Sequence, residues 1–253
     1  MRILAVAMNT FRESVRDKVL YVLLLFAAAT ILSSKALGYI SVGQDIKIVI
    51  DISLASISIF GALIAVFVGT NLVYKEVDKR TIYTILSRPL WRYEFILGKY
   101  FGLALLITVV TVVMTAISAI YVLTLGGNVG ATFFLAALLI YWKLLLVTAL
   151  SVLLSTLTTP ILGAIIVFSC YILGHATGIL VDLPNQFEDT VAQKIMTGIY
   201  YLVPNLSNFD IRAEAANGVE VTGSYIVWAL AYGTMYTVLF LTIAALAFEN
   251  KDV

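Results

Sequence analysis

Residues 74–102 read YKEVDKRTIYTILSRPLWRYEFILGKYFG, and they form a charged segment between two long apolar runs. The segment carries six of the sixteen Lys and Arg residues of the chain. A basic segment between two membrane spans indicates a cytoplasmic loop, because such loops carry an excess of Lys and Arg. We therefore expect residues 74–95 to form a cytoplasmic segment with a short helix at the membrane surface.

The rest of the chain is too apolar for a soluble domain. Of its 253 residues, 61% are hydrophobic and 12% are charged, whereas soluble domains average about 25% charged residues. The net charge is +1, and no basic cluster lies outside the segments that flank the membrane, so we expect no nucleic-acid partner. The single cysteine and the single histidine exclude an internal disulfide bond and a histidine-rich metal site.

Six apolar runs are each long enough to cross the hydrocarbon core, which takes about 20 helical residues. They lie near Val19–Ile40, Ile52–Val73, Ile96–Leu125, Ala131–Ser155, Ile161–Leu183 and Tyr225–Phe248. Their apolar residues are continuous rather than alternating, which predicts helices and not barrel strands. The predicted fold is an all-α polytopic membrane protein with six transmembrane helices.

The six spans predict a single transmembrane domain over residues 1–253. Spans one and two fall within residues 19–73, and spans three to five fall within residues 96–183. Span six and a cytoplasmic tail occupy residues 225–253.

The distribution of basic residues predicts the orientation of these spans. With both termini cytoplasmic, eleven basic residues fall in inside segments, namely Arg2, Arg12, Arg16, Lys18, Lys75, Lys79, Arg80, Arg88, Arg92, Lys99 and Lys251. Four fall in outside segments, namely Lys35, Lys47, Lys194 and Arg212. This bias predicts a multi-pass protein of the cell (inner) membrane with both termini in the cytoplasm.

Residues 1–18 form a second predicted surface element, an amphipathic elbow helix. At helical spacing its apolar residues, which include Ile3, Ala7 and Phe11, share an arc of roughly 140°. The basic residues Arg2, Arg12 and Arg16 fall on the opposite side. This pattern is typical of a helix that lies in the plane of the membrane. It fits both a simple anchor for the first span and a surface that packs against a partner.

The connection between spans five and six, from Asp182 to Ser224, is the longest loop of the chain. It contains the apolar run YYLVPNLSNFDIR, which is unlike a disordered linker. We expect residues 184–224 to fold into a small outer-face cap, which is a candidate surface for an outer-face protein.

Two polar residues within the predicted spans are candidates for a role, Lys143 and His175. Lys143 is about twelve residues into span four, where a lysine costs roughly 2.5–3.5 kcal/mol on insertion scales. It should therefore face the bundle, a partner subunit or an aqueous cavity, and a functional role and a structural pairing both remain open. His175 in span five fits a hydrogen-bonded core residue better than a proton relay.

No nucleotide-binding loop or hydrolase motif is present. The chain contains no G-x-x-x-x-G-K-[ST], no H-E-x-x-H and no G-x-S-x-G sequence. We therefore expect no enzymatic activity and no cofactor in this chain.

The segment EVDKRTIYTILSRPLWRYEFILGKYFG resembles the segment between spans two and three of type-2 ABC exporter permeases. That family combines an acid, a threonine, a short apolar helix, an S-R-P sequence, a basic residue and a G-K pair. The matching residues here are Glu76, Thr81, Ser87, Arg88, Pro89, Arg92, Gly98 and Lys99. The N-terminal NTFRESVRDKVLY and the outer YLVPNLSNFD are also similar to stretches of that family.

The resemblance implies a permease subunit that couples ATP hydrolysis to the movement of a substrate. Two copies of a separate ABC ATPase subunit would bind ATP and Mg, and a second permease subunit would complete a homodimer or heterodimer in the lipid bilayer. The coupling helix Asp78–Arg88 and the elbow helix would contact the ATPase. The implied coupling residues are Glu76, Asp78, Lys79, Arg80, Thr81, Tyr83, Thr84, Ser87 and Arg88.

Two alternatives to an exporter permease remain open. An ATPase-coupled membrane scaffold would transmit force to an outer-face partner through the 182–224 cap and would move no solute. A secondary transporter would usually show paired ionisable residues within its spans and internal repeats. One lysine and one histidine without a repeat argue against the secondary transporter.

Overall fold

The computed structural model describes residues 2–38, 44–78, 91–176 and 203–249, without the side chains of residues 2, 37 and 73–78. The described residues contain helices and no strand. The helices are α1 (Arg2–Val15), α2 (Lys18–Gly38), α3 (Asp45–Asp78), α4 (Arg92–Thr124), α5 (Ala131–Leu157), α6 (Pro160–His175), α7 (Arg212–Asn217) and α8 (Gly223–Glu249). A short 3₁₀ turn, Ser207–Phe209, precedes α7.

Five of the described helices, α2, α3, α4, α5 and α8, are long and apolar enough to cross a membrane. The chain is therefore a multi-pass membrane protein, as its composition predicts. The sixth apolar helix, α6, has 16 residues. At about 1.5 Å per residue it is about 24 Å long, which is shorter than a hydrocarbon core of about 30 Å.

The helix of span five ends well before its predicted boundary. Span five was predicted as Ile161–Leu183, but α6 ends at His175. Residues 177–183 lie outside the described residues, and so does most of the predicted cap before Val203. The described part of the structure therefore supports five full-length spans and one shorter apolar helix.

The helices on either side of the predicted coupling segment extend into it. Helix α3 continues past Val73 to Asp78, and α4 begins at Arg92, before the predicted start at Ile96. Glu76 and Asp78 thus belong to the last turns of the span-two helix. Trp91 precedes α4, and its backbone N–H donates a hydrogen bond to Glu94 Oε2 at 3.1 Å, which satisfies a donor at the start of the helix.

The two ends of the bundle can be named from their contacts. At the elbow end, α1 lies against the start of α4, and Arg92 Nη1 donates a hydrogen bond to the carbonyl oxygen of Glu249 at 2.6 Å. At the opposite cap end, Lys47 Nζ donates a hydrogen bond to Asn217 Oδ1 at 3.0 Å. The first and last described helices, α1 and α8, therefore both reach the elbow end.

Helices α3 and α5 form the centre of the bundle. Leu54, Ile57 and Ile64 of α3 are buried, as is Leu144 of α5. A Cβ atom at Gly61 would lie 2.5 Å from Leu144 Cδ1, so a larger residue there would force the Leu144 side chain to move. Helices α2 and α8 instead keep large apolar side chains exposed along their outer faces, as lipid contact requires.

Candidate functional site

The elbow helix packs directly onto the glycine pair at the start of α4. A Cβ atom at Gly98 would lie 2.6 Å from Val6 Cβ, and one at Gly102 would lie 2.5 Å from the carbonyl oxygen of Ala7. Two glycines four residues apart permit close helix packing, and α1 is the helix that packs against this pair.

The face of α1 that contacts the bundle is not centred on its apolar arc. Thr10 and Ser14 are buried, whereas the apolar Leu4 and Met8 are 70% and 42% exposed. One edge of the apolar arc therefore packs on α4, and the other edge is left for lipid. The predicted basic residues Arg12 and Arg16 are exposed, and the side chain of Arg2 lies outside the described residues.

A buried lysine joins α1 to α4. Lys99 is 1% exposed, and its Nζ lies 3.9 Å from Glu13 Oε2. The same Nζ lies 5.5 Å from the ring centroid of Phe95, which stacks on Phe248 of α8 at 5.6 Å. These contacts connect the start of α4 to both the elbow helix and the end of α8.

The predicted coupling residues fall largely outside the described residues. Lys79, Arg80, Thr81, Tyr83, Thr84, Ser87 and Arg88 lie outside them, and Glu76 and Asp78 are described only as helical backbone. The structure describes the two helices on either side of the segment, α3 and α4. The end of α3 and the start of α4 both stand at the elbow end, and residues 79–90 connect them.

A cleft of about 340 Å³ opens between the elbow and the end of α3. Its lining is mixed in charge and consists of Glu13, Ser14, Arg16, Asp17, Lys18, Val68, Asn71 and Leu72. Asp17 Oδ1 accepts a hydrogen bond from the backbone N–H of Val19 at 3.0 Å, which caps the start of α2. The cleft is therefore a polar surface at the same end of the bundle as the predicted coupling segment.

A second candidate site lies deep within the bundle, around Lys143. The Lys143 side chain is 1% exposed, and its position is about 18 Å along α5 from the cap end. Its Nζ donates a hydrogen bond to Ser58 Oγ at 2.7 Å and lies 3.1 Å from His175 Nε2. The two intramembrane polar residues that the sequence singles out are therefore direct neighbours. Lys143 faces the bundle, which is one of the three environments predicted for it.

The hydrogen bonds of this cluster connect three helices. The carbonyl oxygen of Tyr171 can only accept, so His175 Nδ1 carries the proton and donates to it at 2.9 Å, and His175 Nε2 accepts from Lys143. Ser58 Oγ, which accepts from Lys143, also lies 2.9 Å from Tyr171 Oη, so the two hydroxyl groups share a hydrogen bond. Lys143 thus orders side chains from α3, α5 and α6.

The buried end of α6 has partners for its last carbonyl groups. The backbone N–H of Ala176 contacts the carbonyl oxygens of Ile172 and Leu173 at 3.1 Å each, and the N–H of Leu206 donates to Gly174 at 2.9 Å. A helix end inside a membrane is stable only when its backbone groups are paired within the protein. The negative end of the helix dipole also favours a nearby cation, which Lys143 provides.

The cap contributes a charge pair close to this cluster. Arg212 forms two hydrogen bonds of 2.7 Å with Asp210, from Nε to Oδ1 and from Nη2 to Oδ2. Burial raises the pKa of the Asp210 carboxyl, but its hydrogen bonds to Arg212 and the charges of Arg212 and Lys143 more than offset that effect and hold the pKa below its usual value. Asp210 is therefore a carboxylate, and its direct partner is Arg212.

Sequence reasoning missed Ser58, Tyr171 and the Asp210–Arg212 pair. Tyr171 stands one helical turn before His175, so that spacing was a signal that could have suggested a shared face. Ser58 carries no comparable signal, because it is one of several serines in span two. Among the described residues, no group of three or more His, Cys, Asp or Glu could hold a metal ion.

The comparisons with known proteins agree with the resemblance of the coupling segment. The family model described as "ABC-2 family transporter protein" matches residues 4–253. No curated protein matches the chain. Since the family match spans nearly the whole chain, from the elbow helix to the C-terminus, the chain belongs to the ABC-2 family of transporter proteins and is an ABC transporter permease.

Proposed function

We propose that this permease is an exporter subunit, driven by two copies of a separate ABC ATPase that dock at the elbow end. The docking surface comprises the coupling segment, residues 74–95, and the elbow helix. A second permease subunit, identical or different, completes the transporter. The ATPase subunits bind ATP and Mg²⁺. This chain forms the substrate pathway through the membrane, and the movement of the ATPase subunits is transmitted to it.

The observation that best supports this proposal is that α4 contacts both α1 and α8 at the elbow end. Helix α4 begins next to the coupling segment, and its first turns pack on α1 through Gly98 and Gly102. Arg92 holds the end of α8 through the carbonyl oxygens of Phe248 and Glu249. A displacement of the coupling segment would therefore move α1, α4 and α8 together.

Such a displacement explains how nucleotide binding could act on the spans. ATP favours one arrangement of the ATPase dimer, so the transporter shifts towards the conformation that this arrangement fits. The positive-inside bias supports the orientation that this proposal needs, with the elbow end and both termini of the permease on the cytoplasmic side of the inner membrane.

The test is a charge reversal within the coupling segment. We expect the double variant Asp78→Arg/Arg80→Asp to insert normally but to reduce the ATPase rate of the purified complex to that of the ATPase alone. The matched control is Glu220→Arg, a charge reversal at an exposed residue of the cap end. Normal stimulated hydrolysis in the double variant would exclude this segment as the coupling element.

The same purification separates the proposal from the membrane-scaffold alternative. Both predict a co-purifying ATPase, but only the exporter predicts that ATP drives a solute across sealed vesicles. A complex that hydrolyses ATP normally, yet moves no member of a broad panel of peptides, lipids and drugs, would favour the scaffold. A chain that purifies without any ATPase would contradict both.

A further inference from the structure

The cleft between the elbow helix and the end of α3 lies where the chain turns from α1 into α2. Helix α1 ends at Val15, and α2 begins at Lys18. The two residues between them, Arg16 and Asp17, donate their backbone N–H groups to carbonyl oxygens in the last turn of α1 at 3.1 Å each. The end of α1 and the start of α2 therefore meet at a fixed corner, and both line the cleft.

The charged groups of this cleft differ in whether they have partners. The two acids have them: Glu13 Oε2 lies 3.9 Å from Lys99 Nζ, and Asp17 Oδ1 accepts the hydrogen bond that caps α2. The two cations do not, because the exposed side chains of Arg16 and Lys18 make no ion pair or hydrogen bond with the residues that the structure describes. The charge that the cleft leaves unpaired is therefore positive.

A buried hydroxyl group in the wall of the cleft also lacks a partner. Ser14 is 2% exposed, and its Oγ has no hydrogen-bond partner among the described residues. Helical serines can bond a carbonyl oxygen one turn earlier, as Ser56 and Ser151 do. A buried hydroxyl without a partner is unfavourable. Beside two unpaired cations, it indicates an anionic acceptor that enters the cleft from outside the chain.

The apolar surfaces next to the cleft indicate that this acceptor belongs to a lipid. Leu4 and Met8 of α1 are exposed, as in a helix that lies at the level of the lipid headgroups. On α2, the exposed side chains of Val22 and Leu25 follow Lys18 at spacings of four and three, so the three share one helix face. A molecule with an anionic group beside Lys18 and acyl chains along that face fits both surfaces.

We propose that this cleft binds the phosphate group of a membrane phospholipid, with Arg16 and Lys18 as its ionic partners and the Ser14 hydroxyl as a hydrogen-bond donor. Phosphate oxygens accept strong, charge-assisted hydrogen bonds from such groups. The acyl chains lie along the exposed apolar face of α2. This site does not depend on which ATPase drives the protein, and it would stand if the coupling proposal failed.

The test measures lipid binding to the full chain, purified in mild detergent with any subunit that accompanies it. The probe is dioctanoyl phosphatidylglycerol, titrated by native mass spectrometry. Dioctanoylglycerol offers the same acyl chains without the phosphate, and inorganic phosphate offers the anion without the chains. We expect the phospholipid alone to bind saturably. Equal binding of dioctanoylglycerol, or displacement of the phospholipid by an equal concentration of inorganic phosphate, would overturn the proposal.

Three substitutions assign the binding to the cleft. We expect Arg16→Gln and Lys18→Gln each to weaken phosphatidylglycerol binding about fivefold, the contribution of one basic residue at a membrane surface. Ser14→Ala should weaken it about tenfold, because it removes a hydrogen bond to a charged group.

Thermal unfolding without lipid separates binding from a structural role of Ser14. Its hydroxyl has no partner among the described residues, and alanine is the better helix former. Ser14→Ala should therefore unfold at the same temperature as the native protein or at a higher one. A lower unfolding temperature would show that the hydroxyl stabilises the chain itself, which would overturn its role as a lipid donor.

The matched control is Arg12→Gln, which removes the same charge from an exposed residue of α1 that does not line the cleft. It should bind the phospholipid with native affinity. A loss equal to that of Arg16→Gln would mean that lipid is attracted to the basic helix in general. Native affinity in Arg16→Gln and Lys18→Gln would leave the phosphate without its ionic partners. Either result would overturn the proposal, and both remain measurable if Ser14→Ala does not fold.

Discussion

Lys143 is stable at its depth because the bundle supplies polar partners from two other helices. A lysine at the centre of a span costs about 2.5–3.5 kcal/mol on insertion scales. Its apolar neighbours in α5 help the helix to insert, and the contacts with Ser58 and His175 form only after the helices assemble. Both contacts depend on charge and direction, so they also fix the relative register of α3, α5 and α6.

A double-mutant cycle on Ser58 and Tyr171 tests whether the cluster contributes as a network. We expect Ser58→Ala and Tyr171→Phe to be coupled by about 0.6–1.7 kcal/mol, the range measured for hydrogen bonds between membrane helices. The physical reason is that Ser58 Oγ contacts both Tyr171 Oη and Lys143 Nζ, so its loss breaks two linked hydrogen bonds. Thermal or denaturant unfolding of the purified protein in mild detergent gives the four stabilities.

Thr108 and Tyr141 provide the matched cycle for this prediction. Their hydroxyl groups lie 3.0 Å apart. Thr108 Oγ1 also donates to the carbonyl oxygen of Ala104 in its own helix, so Thr108 keeps a hydrogen-bond partner when the Tyr141 hydroxyl is removed. We expect a smaller coupling there. Equal couplings at the two sites would mean that Lys143 adds nothing to the Ser58–Tyr171 contact.

At the scale of elements, the contact between α1 and α4 depends on the absence of side chains at two positions. Gly102→Ala has two opposing effects on stability. Helix propensity favours alanine by about 1 kcal/mol, whereas forcing a methyl group into a packed contact typically costs about 1–3 kcal/mol. The nearest atom is a backbone oxygen, Ala7 O, which cannot rotate away.

We therefore expect Gly102→Ala to destabilise the protein by about 1–2 kcal/mol and to expose α1 to limited proteolysis. Gly223→Ala is the control, because a Cβ atom at Gly223 would meet nothing within 4 Å. That variant should be neutral or slightly stabilising. A stabilised Gly102→Ala protein would show that α1 moves away from α4 at little cost.

The sequence predicts the existence of these elements better than their ends. The amphipathic pattern of residues 1–18 predicts α1 correctly, and Gly98 and Gly102 predict a close contact. The end of α6 could not be predicted in the same way, because the apolar run continues to Leu183. The structure shows a tertiary contact there: the N–H of Leu206, some thirty residues later in the chain, is the partner of the Gly174 carbonyl oxygen in the last turn of the helix.

The same limit applies to the polar cluster. The free-energy cost of inserting a lysine into the membrane depends on that one residue and can be assigned from the sequence. The sequence therefore predicts that Lys143 faces away from lipid. Its partners come from α3 and α6, and only the packing of these helices decides which polar residues meet. Asp210 was still harder to find, because nothing in the sequence of this loop indicates that it packs against the helices as closely as its buried neighbour Phe209 does.

At the scale of the whole molecule, the contacts place the first and last described helices at one end of the bundle. Helix α1 packs on the start of α4, and Arg92 bonds the end of α8. The cap end carries the contact between Lys47 and Asn217. Which end faces the cytoplasm is not a property of packing. It follows from the eleven basic residues in elbow-end segments against four in cap-end segments, as counted from the sequence.

Accessibility of two exposed positions tests this orientation. In a Cys170→Ser background, we expect Glu220→Cys to react with a membrane-impermeant maleimide in intact cells. Arg12→Cys should react only after the membrane is permeabilised, because the distribution of basic residues predicts that the elbow end lies in the cytoplasm. Both native residues are exposed, so neither thiol depends on a conformational change to react. Permeabilised cells, in which both variants label, control for expression and folding.

The reverse pattern, with Arg12→Cys labelled from outside, would invert the protein and place the coupling segment on the side without ATP. Labelling of both positions in intact cells would contradict a single orientation. Either result would remove the physical basis for ATPase docking at the elbow end, because the motion of a cytoplasmic ATPase can enter the bundle only through the end that faces it. The expected pattern instead leaves α1, α4 and α8, which contact one another at the elbow end, as the helices that receive that motion.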